Sequence, residues 1–111
     1  MRTDFDLIVN GNMAGDVTSD GYSASHLMSI QNVFTGTPVG TIKLQSSNDI
    51  VTLPGNILNW DDIEDSEKDV NGAGIGNYNI HDYAFKWIRV KYTRTSGTGA
   101  INTIINSIIK E

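Results

Sequence analysis

The stretch Tyr83-Ala84-Phe85-Lys86-Trp87-Ile88-Arg89-Val90-Lys91-Tyr92-Thr93-Arg94-Thr95-Ser96-Gly97-Thr98-Gly99 decides the fold class. Up to Arg94 it alternates: Ile88, Val90 and Tyr92 fall on one face, and Phe85, Trp87, Arg89 and Lys91 on the other. A period of two is that of a β-strand. Because both faces are partly apolar, the spacing predicts a strand placed centrally in a sheet. Thr95 to Gly99 then predicts a tight turn, since glycine tolerates the backbone angles such a turn needs.

The segment that follows, 100–109, is open to two readings. Ile101, Ile104, Ile105, Ile108 and Ile109 match a helical stripe. That stripe is wholly β-branched, however, and Asn, Thr and Ser fill the gaps, all mediocre helix formers. After a long strand and a turn, propensity favours a returning strand.

Upstream, Met28, Ile30 and Phe34 share one face of Leu27–Phe34, with Asn32 between them. Thr41-Ile42-Lys43-Leu44-Gln45 alternates strictly. Two such runs around Thr35-Gly36-Thr37-Pro38 predict a β-hairpin. Asp6-Leu7-Ile8-Val9 is a first strand, stopped by the turn signal Asn10-Gly11-Asn12. Met13 to Ser25 reads as a loop or a short edge strand. Ile50-Val51-Thr52-Leu53 is a short strand ended by Pro54-Gly55. The acidic and glycine-rich segment 61–77 reads as a long surface loop. The expected architecture is one all-β domain over residues 1–111, an antiparallel β-sandwich or jelly-roll-like barrel. Residues 1–26 would be an N-terminal strand and loop serving as an assembly arm.

Composition agrees. The chain has 111 residues, 39% apolar and 19% charged, with eleven glycines, two prolines and no cysteine. At this length about two thirds of the unfolded surface is buried on folding, enough for one core. Disulfides and thiolate chemistry are excluded, which fits assembly in a reducing cytoplasm. The N-terminus has no apolar run behind its charge, and no segment approaches membrane-spanning length, so neither a secretory signal nor a membrane partner is expected. A net charge of −5 argues against nucleic acid as the main partner.

No constellation assembles catalytic chemistry. Glu67, Asp69 and Asn71, followed by Gly72, have part of the spacing of a calcium loop. Yet Tyr78 stands where a closing Glu is needed, and six acids around one Lys are more often a solvated loop. The two histidines, His26 and His81, sit in no catalytic motif, and no Gly-x-Ser-x-Gly elbow occurs. Gly72-x-Gly74-x-Gly76 lacks the spacing and the strand–helix flanks of a dinucleotide turn. Lys86, Arg89, Lys91 and Arg94 are half of the basic residues, but alternation splits them between two faces. Arg89 is expected against Trp87 or an acid of the loop. No metal, cofactor or enzymatic activity is expected. Trp60, Tyr78, Tyr83 and Trp87 raise a second class, sugar binding by exposed rings; most such rings lie in cores.

Two motifs together carry a resemblance. Val39-Gly40-Thr41-Ile42-Lys43-Leu44-Gln45-Ser46-Ser47-Asn48-Asp49 and the stretch from Tyr83 to Gly99 resemble a group of small β-sandwich proteins and domains of bacteriophage virions. The match covers roughly Leu27 to Ile109. It departs at Ser46, where the pattern often has Gly, and at Ala100, where it often has Thr. The group is similar to tail-fibre, baseplate and capsid-associated proteins and has no catalytic residues to carry over.

The resemblance implies a non-enzymatic virion structural protein, assembled in the host cytoplasm. A capsid-associated decoration or stabilising subunit is favoured, because a short chain without stalk or coiled coil suits that role. Its partners would be other virion proteins of capsid or tail and further copies of itself, a trimer or another symmetric oligomer. The alternative is a tail, baseplate or host-attachment module that binds carbohydrate. Contact candidates are Phe5, Leu7, Ile8, Trp60 and Tyr78. Trp87, Arg89, Gly97 and Gly99 are expected to hold the structure.

Overall fold

A computed structural model describes residues 2–24, 27–81 and 85–108. His26, Tyr83 and the start of the predicted strand from Tyr83 lie outside the described residues. Among the described residues ten strands form: β1 Arg2–Asn12, β2 Val17–Thr18, β3 Tyr22–Ser23, β4 Leu27–Gly36, β5 Val39–Ser47, β6 Asp61–Asp62, β7 Lys68–Asn71, β8 Gly74–His81, β9 Trp87–Ser96 and β10 Gly99–Ile108. Pro54–Asn56 makes one 3-10 turn.

The strands form two antiparallel sheets. One has the order β1-β10-β4-β8. In the other, β2 and β3 both pair with β9, β9 pairs with β5, and β5 pairs with both β6 and β7. When β2 with β3 and β6 with β7 are each taken as one interrupted strand, eight positions remain, four to a sheet. The chain switches sheets at nearly every connection, which is the double Greek key of a jelly roll. The central placement of the Trp87 strand follows from its two neighbours, β5 and β3.

Alternation builds the core. Ile88, Val90 and Tyr92 of β9 are fully buried, and Ile42 and Leu44 of β5 lie beside them. Across the interior stand Met28, Ile30 and Phe34 of β4, Tyr78 and Ile80 of β8, and Ile101 and Ile105 of β10. Burying a side chain of this size contributes roughly 1.5–3 kcal/mol. Asn32 is buried among them with both ends satisfied: Nδ2 donates to the Gly76 carbonyl at 3.1 Å, and Oδ1 accepts from the Thr103 hydroxyl at 2.6 Å. Segment 99–108 is strand. Ile101, Thr103, Ile105 and Ser107 face inward while Ile104 faces out, so the helical spacing of the isoleucines is a coincidence of composition.

Several expectations need correction. β4 and β5 are not a hairpin: β4 pairs with β10 and β8, and β5 lies in the other sheet. The Gly36–Pro38 turn is a corner between sheets, and so is the Gly97–Gly99 turn between β9 and β10. The two corners lock together. Gly36 and Gly97 have positive φ, 85° and 76°, and the Thr37 N–H donates to the Thr98 carbonyl at 2.8 Å. A Cβ on Gly97 would overlap the Thr37 carbonyl oxygen, and one on Gly99 that of Thr35.

β1 is no free arm, because it pairs with β10 from Arg2↔Ile108 to Asn12↔Ala100. Nor does Asn10-Gly11 end it. Asn10, at φ 49°, sits in an irregularity of the strand, where its N–H is taken by Asn102 Oδ1 at 2.9 Å. Segment 61–77 is mostly strand: β6, β7 and the first half of β8. Its acids are exposed on β6, on β7 and in the connection between them, while Val70 turns into the core.

Candidate functional site

The outer face of the sheet that contains β5 and β9 carries the most elaborate arrangement of side chains. Alternation sends Lys43 and Gln45 of β5 and Trp87, Arg89 and Lys91 of β9 outward, with Gln45 opposite Arg89. Arg89 Nε donates to Gln45 Oε1 at 2.7 Å, and the guanidinium lies 4.4 Å from the Trp60 ring centre. Its stacking partner is therefore Trp60, not Trp87. Partial burial pulls the Arg89 pKa below its ordinary value, while the ring face favours the charged form. Gln45 Nε2 and Lys43 Nζ donate to the Asp62 carboxylate at 2.8 and 2.9 Å. These contacts, Gln45 first, hold the Asp62 pKa below the usual carboxylate range.

Above this face, residues 49–59 form a loop closed at its base by one side chain. Asp49 Oδ2 accepts from the Leu58 and Asn59 N–H groups at 2.8 and 3.0 Å, and Oδ1 accepts from Asn59 Nδ2 at 2.9 Å. The Asn59 side chain first, then the two backbone donors, keep the Asp49 pKa below its ordinary value. Trp87 Nε1 donates to the Asp49 carbonyl at 3.2 Å, which fastens the base of the loop to β9. Ile57 is buried at its inner side and, with Trp60, closes over Gly21; a Cβ at Gly21 would lie 2.8 Å from the Ile57 methyl.

Val51 is partly buried, but the loop turns three aliphatic side chains outward. Ile50 is 92% exposed, Leu58 84% and Leu53 62%. Scattered surface aliphatics are ordinary, but three on one fastened loop are a display that folding alone does not require. The expected strand Ile50–Leu53 does not form. Its composition suits a strand, yet among the described residues no strand pairs with it, and Asp49 and Pro54-Gly55 turn the chain instead.

The predicted contact residues divide. Phe5 is half exposed and tilts against Tyr22, ring centres 5.2 Å apart, while Leu7 and Ile8 pack on the core. Trp60 is half-buried under its contact with Arg89. Tyr78 is interior and offers no surface. Its hydroxyl donates to the Ser66 carbonyl, 2.7 Å away, with the Ile42 carbonyl at 3.2 Å. Burial, with Glu67 adding to it, pushes its pKa well up. A sugar platform on Trp60 and Tyr78 is thus reduced to one partly covered ring.

The calcium spacing is not realised. Asp69 and Asn71 lie in β7, paired with Thr41 and Val39. Residues two apart on an extended strand are about 6.5 Å apart, which does not wrap one ion. Among the described residues no group of three or more acidic or histidine side chains converges on a common point. Sequence reasoning missed the Asp49 closure. The usable signal was an Asx residue after a strand, ahead of a Pro-Gly pair, a combination that favours turns.

No family model matches the chain. No curated protein matches it either. Among solved structures it is similar to the SPBc2 prophage-derived protein YomS, with TM-score 0.57 and 9% identity over 96% of this chain and 94% of that one. It is also similar to PirA, with TM-score 0.52 and 18% identity over 96% and 93%. A partial match, with TM-score 0.42 and 12% identity, covers 96% of this chain and 32% of a chain in the structure of infectious bursal disease virus Gx strain. At such identities the likeness to YomS and PirA is one of fold: nearly the whole chain shares their two-sheet architecture.

Proposed function

We propose that the chain is a non-enzymatic structural subunit of a phage particle, which docks on neighbouring virion proteins through the loop 49–59. A capsid-associated decoration role is the form we favour. One observation carries the reading: Asp49 and Trp87 hold a loop whose Ile50, Leu53 and Leu58 face solvent. Ordering side chains costs entropy, and aliphatic groups held ready for contact reduce that cost on binding. The resemblance of the Tyr83–Gly99 motif to virion proteins supports it, as does the shared fold with a prophage-derived protein.

The acidic run beside the loop, from Asp61 to Asp69, gives the docking surface a negative border, so the partner surface should be an apolar recess with basic residues at its rim. Burying Ile50 and Leu58 there contributes about 1.5–3 kcal/mol each. Replacing both with Ser leaves the core untouched and should weaken incorporation into particles by roughly 100-fold or more. Wild-type and Ile50→Ser/Leu58→Ser chains, produced together in cells that make the particles, are compared by their ratio in purified particles. Equal incorporation contradicts docking through this loop.

A further inference from the structure

The loop 49–59 and the acidic border beside it are joined by one chain of side-chain contacts, which starts at Asp62 in β6. Gln45 of β5 stands directly opposite Asp62 in the ladder, and its Nε2 donates to Asp62 Oδ1 at 2.8 Å. The other end of the same amide, Oε1, accepts from Arg89 Nε of β9 at 2.7 Å. The Arg89 guanidinium lies 4.4 Å from the centre of the Trp60 ring. Trp60 follows Asn59, whose N–H and side-chain amide close the loop on Asp49. Asp62 thus reaches the stem of the loop through two side chains on two other strands.

Gln45 is the link that matters. It is only 7% exposed, and a buried amide needs partners at both ends. One orientation provides them. With Nε2 towards the carboxylate and Oε1 towards the guanidinium, both bonds are charge-assisted. Turned over, the amide would set donor against donor and oxygen against carboxylate. Opposite charges on β6 and β9 therefore pull on one amide, and its oxygen is the acceptor that keeps Arg89 over Trp60.

No other acid of the border is placed in this way. Asp61 accepts from the Asp62 N–H, and Asp69 stands opposite Thr41. Among the described residues neither Glu64, Asp65 nor Glu67 bonds to Gln45 or Arg89. Asp62 also has room for a further donor. Its Oδ1 takes Gln45 and its Oδ2 takes Lys43 at 2.9 Å, which leaves about two lone-pair positions open. The side chain is 56% exposed, so a cation from outside can reach it.

We propose that Asp62 is the acid that receives the basic rim of the docking partner, and that Gln45 is a positioning residue coupling this contact to the order of the loop. A lysine or arginine of the partner adds a bond at Asp62 without displacing Gln45, and so strengthens the hold on Trp60 and the loop stem. By linkage, the charged and aliphatic halves of the surface each bind better when the other is engaged. This inference rests on the docking reading above, but its first test needs no particle.

Amide exchange at Leu58 and Asn59, whose N–H groups Asp49 holds, reports loop closure in the free, full-length chain. It is referred to exchange at Val90 in the buried part of β9, so that a general loss of stability is not read as loop opening. Asp62→Ala is expected to speed exchange at the loop by about three-fold or more, a size such networks transmit. Glu64→Ala, which removes the same charge from the same border, should leave it unchanged. In a Gln45→Leu background, already faster, Asp62→Ala should add nothing. In particles, Asp62→Ala chains should compete less well against the wild type than Glu64→Ala chains. Unchanged exchange in Asp62→Ala, an equal response to Glu64→Ala, or a full effect of Asp62→Ala without Gln45 overturns the coupling. Equal incorporation of the two variants overturns the assignment of Asp62. Failure of the docking reading itself looks different: Ile50→Ser/Leu58→Ser chains enter particles normally while the exchange results stand.

Discussion

Two tyrosines of the core make the same chemical substitution give opposite results. Tyr78 donates its hydroxyl to the Ser66 carbonyl, near the Ile42 carbonyl, and so ties β8 to the strand and connection of the facing sheet. Ser66 is itself buried, and its Oγ accepts from the Leu44 N–H at 3.1 Å. Tyr78→Phe removes the donor and leaves a buried carbonyl unsatisfied. The cost of such a loss is about 1–3 kcal/mol. Tyr92 is fully buried as well, but among the described residues its hydroxyl has no partner. Burial first, with a smaller contribution from Asp16, pushes its pKa up, against the lowering effect of Arg94. Tyr92→Phe removes a desolvated, unpaired group, so stability should be unchanged or rise by up to about 1 kcal/mol. Urea unfolding followed by tryptophan fluorescence measures both. With a slope of about 1–3 kcal/mol per molar for a small domain, the two midpoints should separate by roughly 1 M, with Tyr78→Phe the lower. Equal midpoints, or a lower one for Tyr92→Phe, would refute this account of the core's polar groups.

Gly97→Ala should cost more than about 2 kcal/mol, since it forces a side chain into positive φ and against the Thr37 carbonyl; Gly15→Ala, with nothing near its Cβ, should be neutral in the same thermal melts. Acid should release the loop: the folded-state pKa of Asp49 is depressed, so the stability that its closure contributes is present above the unfolded value near 3.9 and lost as pH falls through the folded value. Protease sensitivity within 50–58 should therefore rise below about pH 4, and Asp49→Ala should show it already at neutral pH. At the alkaline end the sign reverses: Tyr78 holds its proton in the folded chain above the unfolded value, so stability falls as pH rises past about 10, and Tyr78→Phe should flatten that decline.

Much of the fold was legible because alternation is local. Trp87–Arg94, Thr41–Gln45 and Leu27–Phe34 declare their inward faces residue by residue, and the structure buries Ile88, Val90, Tyr92, Ile42, Leu44, Met28 and Ile30 accordingly. Partners are not local. Gly36-Thr37-Pro38 looks like a hairpin turn, but a positive-φ glycine serves a corner between sheets equally well, and only the Thr98 contact from the far end of the chain decides between them. Glycine and acid content also misled at 61–77. Edge strands carry charge as protection, and Gly76 lies in a regular ladder beneath the Phe34 ring, so composition argued for a loop where Val70, Tyr78 and Ile80 were already spaced for strands. At the site, Arg89 was expected to be held by an aromatic ring, but the ring is Trp60. Its arrival depends on how Asp49 closes a loop, and no periodicity encodes that.

The central claim is that this chain works as a fixed part of a particle. The most direct measurement is quantitative mass spectrometry of phage particles purified from a culture that produces the chain, with the copy number referred to the major coat protein. A constant, symmetric ratio that survives density-gradient purification is the predicted result. A chain found only in the soluble fraction, absent from particles that are otherwise complete, would contradict it.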